Sequence, residues 1–135
     1  MSEIVVFDTS VLIDQIRINR HLDRMQELTG TIRNSAVVLA ELWRGATTPV
    51  DRRIVETLER NHPTLTPTAN NWLESGHILA KIRKDKGFQP EKLRDLQFDV
   101  LIALTARSYG AQLITSNRAD FELIRSYREF KLEVW

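Results

Sequence analysis

Residues 5–14 read VVFDTSVLID. An apolar run ends on a carboxylate, Asp8, and a small polar pair, Thr9 and Ser10, leads into a second apolar stretch. The first half, with Glu3 and Ile4 before it, is a short β-rich run expected to form a buried strand over residues 3–7. Val11, Leu12 and Ile16 then fall at helical spacing, so Thr9 or Ser10 is expected to open a helix through about Ile18. Asp8 thus stands where a buried strand stops. A helix N-cap is the plain explanation for an acid in that place. A metal ligand is the other, with Thr9 or Ser10 doing the capping instead.

The strand-then-helix order repeats along the chain. A second helix, roughly residues 20–28, carries Leu22, Met25 and Leu28 and is expected to stop at Gly30. TIRNS (31–35) reads as a strand, and residues 36–46 as a helix ending at Gly45. Pro49 starts another helix, roughly 50–61, and HPTLTP (62–67) is a brief extended piece. Two long helices, 69–86 and 91–109, are separated by Gly87 and Pro90. AQLIT (111–115) is a strand, a short helix covers about 119–125, and KLEVW (131–135) is the last strand. Strands alternating with helices imply an α/β fold with a largely parallel sheet covered on both faces. Ligands in such sheets sit beyond the carboxyl ends of the strands, at a switch point. With 135 residues and no repeat or linker, the chain is expected to be a single domain over residues 1–135.

Composition narrows the chemistry. Cysteine is absent, which excludes disulfides and thiolate metal sites. His21, His62 and His77 are scattered without ligand-like spacing. The net charge of +1 does not announce a nucleic-acid binder, although arginine outnumbers lysine, which suits phosphate contact. No apolar run reaches membrane-span length and no signal peptide stands at the start, so no membrane partner and a cytoplasmic location are expected.

Three more acids stand out beside Asp8. Glu41 follows the apolar run of residues 36–40, at the margin of a helix that begins buried. Asp99 lies in LQFDVLIALTA (96–106), with almost no solvent face around it. A buried carboxylate without a partner tends to protonate, so it calls for one. Asp120 follows the strand end at Thr115, in LITSNRADF (113–121), where Asn117 or Asp120 itself can cap the next helix. Asp95, four residues before Asp99, reads as a solvated residue near the helix start. Each acid alone has an ordinary explanation. Together they sit at strand ends or on the helices that follow. If they converge, two unit charges at 4 Å repel by roughly 4 kcal/mol at an effective dielectric near 20. A divalent cation reverses that sign. An all-oxygen donor set favours Mg²⁺ or Mn²⁺ over zinc, with Thr115 and Asn117 orienting waters or neighbouring carboxylates.

In FDTSVLID (7–14), SAVVLAELWRGA (35–46) and FDVLIALTARSYGAQLITSNRADF (98–121), the chain resembles the PIN-domain nucleases. It is most similar to the VapC-type toxins of toxin–antitoxin pairs. The resemblance covers essentially the whole chain, and three short motifs recur in order. It implies a PIN-like five-stranded parallel sheet with helices on both faces. It also implies a Mg²⁺- or Mn²⁺-dependent endoribonuclease that leaves a 5′-phosphate and a 3′-hydroxyl. Carried over residue by residue, Asp8, Glu41 and Asp99 would be the core metal ligands. Asp120 would be a fourth, often acting through water, with Thr115 and Asn117 in support. A homodimer is implied, as is a small antitoxin whose C-terminal segment covers the active-site groove. Asp14 departs from the pattern, where the family often has an uncharged residue.

Arg17, Arg44 and Arg118 each lie near a proposed acid and are candidates for contact with RNA phosphates. Trp43 follows Glu41 closely, and a core or interface role is the expectation for it and for Trp135. Two other functions fit part of the pattern. One is a PIN nuclease in RNA processing, or acting on DNA, outside toxin–antitoxin biology. The other is a non-catalytic receiver-like module that handles phosphate at Asp8. The phosphatase pattern needs a second Asp two residues later, and Ser10 stands there.

Overall fold

The buried run at the start of the chain becomes an inner strand of a parallel sheet. The computed structural model describes residues 3–135. In chain order the elements are β1 (Ile4–Phe7), α1 (Thr9–Ile18), α2 (Leu22–Glu27), β2 (Thr31–Ile32), β3 (Asn34–Ser35), α3 (Ala36–Gly45) and α4 (Pro49–Asn61). There follow β4 (Thr64–Leu65), α5 (Ala69–Lys86), α6 (Pro90–Ser108), β5 (Gln112–Thr115), α7 (Arg118–Tyr127) and β6 (Lys131–Val134). The main sheet runs β2-β1-β5-β6, with every pairing parallel. β1 leads through α1 and α2 to β2 on one side, whereas β5 leads through α7 to β6 on the other. The gap between β1 and β5 is therefore the topological switch point.

The alternation of side chains across the pleat shows why helices cover both faces. Val6 and Leu113 point into a large core with Val38, Leu42, Ile82 and Phe121, to which α3 through α7 contribute. Val5, Phe7 and Ile114 point the opposite way and pack with Val11, Leu12, Met25 and Leu28 from α1, α2 and the residue after it. Leu22, at helical spacing with Met25 and Leu28, is 40% exposed. Residues 100–106 of α6 are all buried, so this helix runs through the interior.

The strand expected over 31–35 is broken at Arg33. The Arg33 N–H still donates to the Val5 carbonyl at 2.9 Å, but the Asn34 N–H turns to Pro63 at 2.9 Å. The Asn34 side-chain amide donates to the carbonyls of Leu58 (2.7 Å) and His62 (2.9 Å), tying the chain to the end of α4. β3 therefore pairs with β4 in a separate two-stranded parallel piece. The resemblance implies five strands in one sheet. Four share the main sheet, and the fifth, β4, is reached across this break.

Gly30 has a different role from the helix stop read in the sequence, since α2 already ends at Glu27. A Cβ on Gly30 would lie 2.7 Å from the Glu3 carbonyl oxygen and 2.7 Å from Cγ2 of Val5. The turn into β2 passes that close to β1. Among the described residues, no helix is long and apolar enough to cross a membrane. Replacing Gly30 with alanine is expected to cost about 1–3 kcal/mol of stability, because the Glu3 carbonyl and the buried Val5 methyl must both shift. Chemical denaturation of the variant beside the parent protein measures it.

Candidate metal centre

Asp8 follows β1 directly and occupies the N-cap position of α1, with extended backbone angles (φ −69°, ψ 157°). Its carboxylate caps no helix N–H. Oδ2 instead accepts the Ser10 hydroxyl at 2.7 Å and the Thr115 hydroxyl at 2.8 Å. The Ser10 oxygen also accepts the Ser116 N–H at 3.1 Å, and the Thr115 oxygen accepts the Asn117 N–H at 2.9 Å. The two strand ends at the switch point are thus sewn together through hydroxyls. Thr9 and Ser10, expected as caps, lie inside the helix and hold carboxylates instead. Thr9 donates to Oε1 of Glu41 at 2.8 Å.

Glu41 reaches this place from α3, whose start is fixed by Ser35 accepting the Val38 N–H at 3.3 Å. Its carboxyl is half-buried. Burial raises its pKa and the nearby Asp8 adds to the rise, while the Thr9 hydrogen bond and the Arg44 charge oppose it. Asp99 projects from the interior helix α6, and no hydrogen bond to its carboxylate occurs among the described residues. Its pKa is pushed up to about 8, first by burial and then by Asp8, Glu41 and Asp120 in that order, with Lys92 opposing. Three other carboxylates acting on one side chain place all four in a single neighbourhood.

Asp120 stands in the first turn of α7. Asn117 is the cap there, accepting the Asp120 N–H at 3.4 Å and donating its amide to Asp120 Oδ2 at 3.1 Å. Oδ1 of Asp120 accepts the Lys92 ammonium at 2.9 Å. Glu41, Asp99 and Asp120 open onto one cleft with Asp95, Arg44, Arg94, Gln97 and Phe98, while Asp8 is buried, 3% exposed, and near enough to act on Glu41 and Asp99. In the arrangement seen, no three acid or imidazole side chains among the described residues close around one point. The donors nonetheless suit a divalent ion. They are carboxylate oxygens without nitrogen or sulfur, which is the preference of Mg²⁺ or Mn²⁺. The pKa of Asp99, raised first by burial and then by its three acidic neighbours, marks a carboxylate whose charged form a cation would stabilise.

The model of the PIN domain matches residues 5–126. The chain belongs to the PIN-domain family. Solved structures agree with the match. This PIN domain is similar to a chain of the DNA-bound VapBC complex from Salmonella typhimurium, at 26% identity over 100% of this chain and 99% of that one, with a TM-score of 0.72. It is similar to a chain of VapBC-1 from nontypeable Haemophilus influenzae, at 25% identity over 98% of each chain and a TM-score of 0.72. VapBC2 from Rickettsia felis, bound to a promoter DNA fragment, shares the fold at 22% identity over 98% of each chain and a TM-score of 0.75. No curated protein sequence matches. Family and fold together support a VapC-type PIN nuclease.

The candidate arginines of the PIN domain part company. Arg44 borders the acidic cleft, with its guanidinium 5.9 Å from the centre of the Phe98 ring. Arg17 lies on the other side of Glu41, in an adjoining groove with Ile13, Ile16 and Leu42. Arg118 turns away to Glu122, at 2.9 Å. Trp43 packs against the core and donates to Glu59 at 2.7 Å. Trp135 packs on Phe7 and His21, with ring centres 5.6 and 5.4 Å apart. Asp14, the departure from the family pattern, pairs with Arg20 at 3.3 Å.

Sequence reasoning missed Lys92 and Arg94, and it gave Thr9 and Ser10 the wrong task. Lys92 had a readable signal, since it precedes Asp99 by seven residues, close to two turns on one helix face. The Asp99 carboxyl titrates near 3.8 when unperturbed and about 8 in the fold. The folded, metal-free protein therefore carries the extra proton between those values. Its contribution to stability is fully present below the lower value and is lost as pH rises through the upper one. Thermal melts in chelator are expected to show Tm falling across that window, and Asp99→Asn is expected to flatten the fall.

Proposed function

We propose that this chain is a VapC-type toxin, a single PIN domain over residues 1–135 that hydrolyses RNA with Mg²⁺ or Mn²⁺. The observation that carries the reading is the meeting of Glu41, Asp99 and Asp120, from α3, α6 and α7, at one cleft, with Asp8 at the end of β1 near enough to act on Asp99. Asp8, Glu41 and Asp99 would hold the ion, with Asp120 as a fourth acid acting at a remove. A bound divalent ion supplies Lewis acidity: it lowers the pKa of water and offsets charge on the phosphoryl oxygens.

The chain's own residues prepare that place. Asp8 commits Oδ2 to Ser10 and Thr115, and Glu41 commits Oε1 to Thr9, so each keeps its other oxygen for the ion. These hydroxyls fix the carboxylate orientation, as outer partners do in metal sites generally. Asp99 must give up its proton when the ion binds, so ion and proton compete at this carboxylate near neutral pH. Arg44 and Arg94 flank the acids on the cleft wall and suit contact with RNA phosphates on either side of the cut. Arg17 stands farther along, in the adjoining groove, and Arg118 is engaged with Glu122.

The VapBC complexes named above support a cognate antitoxin as partner. The groove beside Glu41, with Ile13, Ile16, Leu42 and Val55 on its walls and Arg17 at its side, suits an antitoxin segment that inserts apolar side chains. The reading includes a homodimer and a cytoplasmic site of action, where the RNA substrate is found.

Purified protein is expected to cut single-stranded RNA in Mg²⁺ or Mn²⁺ and to leave 5′-phosphate ends. Asp99→Asn is expected to reduce the rate at least about 100-fold, the equivalent of losing several kcal/mol of transition-state stabilisation. Undiminished cutting by folded Asp99→Asn protein, read by sequencing the RNA ends, rejects the assignment. Ser10→Ala and Thr115→Val are expected to weaken Mn²⁺ binding by about 10–100-fold, as measured by titration.

A further inference from the structure

Lys92 stands in the first turn of α6, and Asp99 follows seven residues later on the same helix. Its ammonium lies 2.9 Å from Oδ1 of Asp120. The other oxygen of Asp120 accepts the Asn117 amide at 3.1 Å. Both oxygens of this acid are therefore met by hydrogen-bond donors. Among the described residues, Asp8, Glu41 and Asp99 form no ion pair, so Asp120 is the acid of the four that has a cation of its own.

We propose that Lys92 takes the place of a second metal ion, so that the centre holds one divalent ion on Asp8, Glu41 and Asp99 and reserves Asp120 for an internal ammonium. The inference rests on reading the four acids as a metal centre. Two-metal sites hold their ions about 3.5–4 Å apart and need carboxylate oxygens facing both positions. A second ion at Asp120 would have to share an oxygen with the ammonium or with the Asn117 amide, or displace one of them. It would also sit beside the positive charge of Lys92, which stays tethered to α6. The ammonium can do part of what a second ion does. It has three N–H donors, of which Asp120 takes one, and the Lys92 side chain is 40% exposed. The remaining donors are open to a phosphate oxygen of the substrate. A lysine so placed is a fixed charge that needs no loading, while the first ion must be taken up from solution.

The test counts ions. Mn²⁺ is titrated into the full chain, and the free ion is followed by its electron paramagnetic resonance signal. The parent protein is expected to bind one Mn²⁺ per chain and Lys92→Met two, the second at least ten times more tightly than any further binding to the parent. Lys92→Arg, which keeps the charge, is expected to bind one. Lys92→Met combined with Asp120→Asn is expected to return to one, because the second position needs that carboxylate. Two ions in the parent, or one in Lys92→Met, overturns the proposal while the metal-centre reading stands. No saturable binding in any of the proteins sinks that reading and the proposal with it. Circular dichroism confirms folding, and Lys92→Gln replaces Lys92→Met if the methionine variant does not fold.

Discussion

Negative charge held half out of water at the switch point between β1 and β5 is the constraint around which this structure is arranged. Like charges at 4 Å cost roughly 4 kcal/mol per pair at an effective dielectric near 20, so the arrangement needs offsets. The molecule uses a different one for each acid. Asp8 receives two hydroxyls, Glu41 receives one and lies within the field of Arg44, and Asp120 receives an ammonium and an amide. Asp99 receives no hydrogen bond among the described residues and takes up a proton instead, with its pKa at about 8. That proton is the offset most easily exchanged for a metal ion, since it leaves as the ion arrives.

Such crowding persists only on a scaffold that does not let the acids separate. β1 and β5 are inner strands with neighbours on both sides, and the Asp8 N–H donates to the Ile114 carbonyl at 2.8 Å, just where Asp8 begins its work. Asp99 is carried by a helix buried through residues 100–106, which close packing holds in place. Glu41 is carried by α3, which follows β3 and the break at Arg33. The fold therefore delivers three acids from long sequence separations and secures them with backbone hydrogen bonds and apolar packing. The hydroxyls then set only the final orientation.

The acids were legible in the sequence because burial made them conspicuous. An aspartate at the end of VVF, or inside LQFDVLIALTA, violates its apolar surroundings, and such violations gather at functional sites. The basic groups were less legible. Arginine side chains are long and take the nearest partner, so Arg118 goes to Glu122 one turn away although it sits two residues before Asp120. Lys92 is twenty-eight residues from Asp120 in the chain, and its partner is chosen by the packing of α6 against α7. Capping was ambiguous for a similar reason. Asp8, Thr9 and Ser10 can each accept a helix N–H, and the choice depended on Thr115 and Glu41 arriving from elsewhere.

By itself, the sequence determined the order of strands and helices and the parallel character of the sheet, and it marked four acids as candidates. These follow from apolar periodicity and from the cost of placing charge among apolar neighbours, which are local properties of the chain. Only the tertiary structure decided that the 31–35 strand breaks at Arg33, that Gly30 is needed for a close approach rather than a helix stop, and that Ser10 and Thr115 share Asp8. It alone decided that Lys92 neutralises Asp120. Each of these depends on which distant group comes within hydrogen-bonding or van der Waals distance, and that is settled when the elements pack.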